Sequence, residues 1–77
     1  MVLIGLEHCP GCMIIKSRHP ELPFKEVPRK IGPNTPKELI DLKKLMGKLG
    51  IEEYPVLMND EMTEVLSLKL IEPNIQL

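Results

Sequence analysis

Seventy-seven residues with a formal charge of −1, 43% hydrophobic and 27% charged, make one small domain, residues 1–77, near the lower size limit for a self-sufficient core. The near-balanced charge lacks the basic excess of a nucleic-acid-binding domain, and no apolar run approaches the roughly 18 residues of a membrane span. With one Phe, one Tyr and no Trp, the core has to be aliphatic.

The start, "MVLIGLEH", lacks the basic flank and length of a signal peptide. The expected setting is cytoplasmic, where thiols stay reduced. Val2 to Leu6 is continuously apolar around Gly5 and predicts a strand buried on both faces, with the glycine marking a bulge or a close backbone approach. The cysteine stretch follows, and "MIIKSR" after Cys12 predicts a short helix that Pro20 and Pro23 stop. Phe24 to Val27, boxed by prolines, predicts a second strand, and "RKIGPN" a loop.

"TPKELIDLKKLMGKLG" carries the strongest local signals. Thr35 reads as an N-cap, Pro36 as the first helical residue and Glu38 as the third, a capping box. Leu39, Leu42, Met46 and Leu49 share one stripe that Leu45 widens, and Lys37, Asp41, Lys44 and Lys48 face water. Gly50 supplies the C-terminal cap. "YPVLM" predicts a third strand, "NDE" a turn, and Met62 to Leu66 a fourth strand closing a hairpin. Ser67 caps a last short helix, "LKLIE", which Pro73 ends. Strands alternating with helices imply a βαβ unit with a parallel pair, and the hairpin adds antiparallel pairing.

The two cysteines of the chain, Cys9 and Cys12, fall between the first strand and the first helix. There Cys9 sits at a helix N-terminus, where unpaired N–H groups and the dipole favour an anion. The thiolate is the reactive species of cysteine. Cys12 lies one turn on, on the same side and less exposed, placed to attack a mixed disulfide formed at Cys9. Pro10 fixes the first helical turn, and Gly11 leaves room for an incoming thiol partner.

Cys9-Pro10-Gly11-Cys12-Met13-Ile14-Ile15-Lys16 resembles the glutaredoxin signature Cys-Pro-Tyr-Cys-x-x-Ala-Lys. The resemblance implies an α/β thioredoxin-like fold of the minimal glutaredoxin type. Its four-stranded mixed sheet has the order β-α-β-α-β-β, with a short or missing C-terminal helix. It implies an enzyme, a thiol–disulfide oxidoreductase, with Cys9 the nucleophile and Cys12 the resolving thiol. Tyr54-Pro55-Val56 stands where the family opens its third strand with a cis-proline facing the cysteines. Pro10, Gly11, Tyr54 and Pro55 are thereby expected to touch substrate. The chain departs from the family in having Gly11 for tyrosine and Tyr54 for threonine or valine. It also lacks the Gly-Gly pair and acidic residues that hold glutathione, reading "MNDEMTEVLSLK" instead. Protein disulfides are therefore the expected substrates ahead of glutathione. No cofactor or metal is expected, nor nucleic-acid or membrane partners, and the chain should be a monomer.

Other readings of the same residues stand beside this one. A Cys-x-x-Cys also serves zinc, and His8 and His19 would bring the ligands to four, though without zinc-finger spacing. The cysteines could be inert core residues, or the fold a binding module without turnover. His8 reads more readily as a polar strand end than as a residue tuning Cys9. Lys16 reads as a solvated helix residue, Tyr54 as a substrate-stacking ring or a cap on the core. Met13, Met46, Met58 and Met62 read as core filler.

Overall fold

The computed structural model describes residues 1–73. Strand β1 (Val2–Leu6) leads through the cysteine turn into helix α1 (Pro10–Arg18), then strand β2 (Phe24–Val27), helix α2 (Lys37–Lys48), and strands β3 (Val56–Met58) and β4 (Val65–Leu66). One 3-10 turn, Leu68–Leu70, follows β4, with the Ser67 side chain accepting the Lys69 N–H. The result is an α/β arrangement: a four-stranded mixed sheet in the order β2-β1-β3-β4. β1 runs parallel to β2 and antiparallel to β3, and β3 is antiparallel to β4. Among the described residues no helix is long and apolar enough to cross a membrane.

Successive strand residues point to opposite faces, and both faces of this sheet are covered. Val2, Ile4, Val56 and Met58 pack with Leu42 and Met46 of α2 on one side. Leu3 and Leu57 pack with Ile15 of α1 and Leu68 on the other. Double coverage is why β1 reads as an unbroken apolar run. The glycine in that run is required by packing. A Cβ on Gly5 would lie 2.6 Å from the Phe24 ring and 3.0 Å from the Cys12 Cβ. The close approach expected at Gly5 is thus what seats α1 on the sheet beside Cys12.

Helix α2 is the longest, and its end follows the sequence signals. Gly50 adopts φ 72, its N–H meets the Gly47 carbonyl at 3.1 Å, and the Ile51 N–H meets the Met46 carbonyl at 3.0 Å. This is a Schellman motif with Ile51 packed back on the core. The start differs from expectation. Pro36, at ψ 144, is the N-cap, and Lys37 opens the helix without a side-chain cap. The expected capping box is absent because Thr35 Oγ1 instead accepts the Gly32 N–H at 2.8 Å and closes the preceding loop.

Three further expectations are corrected. Leu49 lies beyond the last helical residue and is exposed, outside the buried stripe. Met13 is exposed rather than core filler; Met46 and Met58 are buried, and Met62 packs partly buried against the core. The fourth strand is only Val65–Leu66. Asn59 Oδ1 accepts the N–H groups of Thr63 and Glu64 at 2.8 and 3.1 Å, which extends the turn at the strand's expense.

Candidate functional site

The two cysteines occupy the positions that their spacing implies. Cys9 is the N-cap of α1, in extended conformation, and Pro10 is the first helical residue. The Cys9 Sγ accepts the Cys12 N–H at 3.2 Å, the role an aspartate or serine oxygen fills at other helix starts. Helix α1 therefore begins earlier than "MIIKSR" and takes Cys12 into its first turn, with Cys9 as its cap. Cys9 is half-buried and Cys12 is fully buried. The Cys12 Sγ accepts the Leu6 N–H at 3.5 Å. Burial, and after it the hydrogen bond with the Cys9 thiol, pushes the Cys12 thiol up to about 11. Both side chains are free thiols. One is reachable, and the other is held protonated directly behind it.

A groove of about 410 Å³ opens over Cys9, lined by Glu7, His8, Pro10, Met13 and Glu26. Pro10 thus borders the groove that exposes Cys9. Gly11 has open space where a side chain would project, so the helix start is unobstructed there. His8 is exposed, at φ 58, and its ring faces the Glu7 carboxylate at 3.7 Å. That fits a polar turn residue. Lys16 Nζ lies 4.7 Å over the Phe24 ring, a cation–π contact, and is not among the residues lining the Cys9 groove.

The Tyr54–Pro55 bond is cis. Because Val56 pairs with Ile4, this dipeptide enters the sheet at the end where β1 delivers the cysteine turn. Burial raises the Tyr54 phenol, and the charge of a Cys12 thiolate raises it further. Tyr54 and Pro55 line a separate, smaller depression of about 200 Å³ with Glu53, Val65 and Leu66. The expected site residues therefore share one end of the sheet, but Cys9 and Pro10 line one depression and Tyr54 and Pro55 another, with no lining residue in common.

His19 is at the opposite end of α1, where its ring meets Glu72 at 3.2 Å and Glu21 at 3.4 Å. The structure does not bring it to the cysteines. Among the described residues no group of three His, Cys, Asp or Glu side chains is placed to hold a metal ion.

Two residues of the site had no signal in the sequence. Glu26, on β2, lines the Cys9 groove through strand register alone. Arg29, in the loop after β2, donates to the carbonyls of Glu7 and His8, contacts that leave no side-chain pattern to read. Compared with family models, curated proteins and solved structures, the chain matches none.

Proposed function

We propose that this chain is a thiol–disulfide oxidoreductase with a thioredoxin-like fold of the minimal glutaredoxin type, reducing protein disulfides with the Cys9–Cys12 dithiol in the cytoplasm. One observation carries the reading: the accessible Cys9 sulfur caps a helix N-terminus by accepting the Cys12 N–H at 3.2 Å, and the Cys12 thiol of the same turn is buried and protonated. The order of events follows. Cys9 loses its proton to solvent and attacks one sulfur of the substrate disulfide. That S–S bond breaks, and the departing sulfur leaves as a thiolate. Cys12 then passes its proton to the leaving thiolate and attacks the Cys9 sulfur of the mixed disulfide. The second substrate thiol is released and the Cys9–Cys12 disulfide remains. The substrate gains two electrons from the dithiol, one proton from Cys12 and one from solvent, which balances the proton Cys9 released, and an external dithiol returns the chain to its starting state.

The surroundings favour protein substrates over glutathione. Glu7 and Glu26 line the Cys9 groove, and a glutathionyl group carries net negative charge, so the two repel. Beyond β4, the Ser67 hydroxyl accepts the Lys69 N–H, which takes that donor away from a ligand carboxylate.

The test is trapping. With a cystine-bridged peptide, Cys12→Ser should accumulate a mixed disulfide at Cys9, identified by mass spectrometry, and Cys9→Ser should form none. The unsubstituted chain, recharged by dithiothreitol, should reduce the peptide above the background rate. Absence of both the adduct and the accelerated reduction sinks the proposal. Equal turnover of a glutathione mixed disulfide would overturn the substrate preference alone.

A further inference from the structure

Two cations near the cysteine turn are aimed at backbone carbonyls. Arg29 Nε donates to the Glu7 carbonyl at 2.6 Å, and its Nη2 to the His8 carbonyl at 3.5 Å. These are the last two carbonyls before Cys9. Behind Arg29, Lys43 of α2 donates from Nζ to the Pro28 carbonyl at 3.1 Å and to the carbonyl of Arg29 itself. Neither side chain forms an ion pair among the described residues. The turn they hold needs holding. His8 adopts φ 58, a region non-glycine residues seldom occupy. The Glu7 N–H meets the Val27 carbonyl at 2.9 Å on the strand side, and the Cys9 end is held by the Met13 N–H on its carbonyl and the Cys12 N–H on its sulfur, both at 3.2 Å; the His8 carbonyl between them is met by Arg29.

We propose that Arg29, braced by Lys43, is a positioning residue for the nucleophile. It fixes the Glu7–His8–Cys9 turn so that the Cys9 sulfur stays at the helix end, facing its groove. The inference rests on the dithiol reading above and adds the residue that makes that sulfur geometrically ready. Displacement at sulfur requires a near in-line approach to the S–S bond, and a turn free to rotate spends much of its time off that line. A guanidinium can span two carbonyls with separate N–H groups, whereas an ammonium on a flexible stem is a point donor.

The experiment measures the reaction of Cys9 with a small uncharged aromatic disulfide, in a Cys12→Ser background, at the pH-independent plateau of the rate. Working at the plateau separates geometry from ionisation. Arg29→Ala should slow the plateau about tenfold, with its melting temperature recorded to confirm that the chain is folded. Arg29→Lys should recover only part of the rate. Lys43→Ala should slow the reaction when Arg29 is present and do nothing further in the Arg29→Ala chain, because Lys43 acts through Arg29. A plateau unchanged in folded Arg29→Ala overturns the inference and leaves the oxidoreductase reading intact, as does full recovery by Arg29→Lys or additive effects of the two substitutions. Failure of the unsubstituted chain to reduce any disulfide overturns both.

Discussion

At the scale of single residues, Cys12 is the side chain whose environment says most. Its sulfur has no exposed surface, and burial followed by the hydrogen bond with Cys9 pushes its thiol up to about 11. A free cysteine titrates near 8.5, so the folded chain holds this proton more tightly than the unfolded chain. The stability contributed by the protonated thiol is therefore fully present below about pH 8.5 and is lost as pH climbs toward 11. Burial of the Tyr54 phenol acts in the same direction. Two outcomes are expected. Iodoacetamide should label Cys9 first near neutral pH and leave Cys12 largely unmodified until pH exceeds about 10, read by mass spectrometry of the labelled peptides. The stability advantage of the parent chain over Cys12→Ser should also shrink across the same alkaline window. Equal labelling of both thiols at neutral pH would contradict the buried, protonated assignment. The Cys-x-x-Cys spacing made this pair legible in the sequence. The unequal burial of its members comes from Gly5, which lets α1 sit close enough to seal Cys12 but leaves Cys9 at the rim.

At the scale of elements, α2 separates signals that are locally sufficient from those that compete. Gly50 succeeds as a C-cap because φ 72 has no rival residue at that point. Thr35 fails as an N-cap because the Gly32 N–H, three residues upstream, claims its hydroxyl first. The fourth strand fails over Met62 to Glu64 for a related reason. Asn59 captures two backbone donors there, and Met62 at φ 57 turns the chain. Such side-chain-to-backbone bonds compete with regular structure without disturbing the apolar pattern. The two glycines at the end of α2 allow a paired test. Gly47 is helical, and a Cβ there meets nothing within 4 Å. Gly47→Ala should therefore raise stability by about 0.5–1 kcal/mol. Gly50→Ala should lower it by about 1–2 kcal/mol, the cost of a Cβ in the left-handed region. Urea midpoints of the two variants should move in opposite directions, and a shared direction would mean that the helix does not end in this motif.

For the whole molecule, the alternation of β3 links the two cores. Val56 and Met58 face α2, and Leu57 faces α1 and the 3-10 turn. The apolar runs of β1 and β3 made two buried strands legible, but a continuous run does not say which residue meets which helix; register with β1 decides that. Leu57 has no exposed surface and packs with Leu3, Ile15 and Leu68, in the layer that presses α1 onto the sheet. Leu57→Ala leaves a cavity in that layer, at a cost of about 2–5 kcal/mol. Domains in general are stable by only about 5–15 kcal/mol, and one this small has little reserve. The α2 side of the sheet keeps its own contacts, so the loss should fall chiefly on α1, the helix that positions both cysteines. The expected result is a lower urea midpoint together with faster iodoacetamide labelling of Cys12 at neutral pH, measured under conditions where most chains remain folded. Labelling of Cys9 should change far less, because its exposure does not depend on that layer. A lower midpoint with Cys12 still protected until global unfolding would show instead that α1 and the α2 core open as one unit.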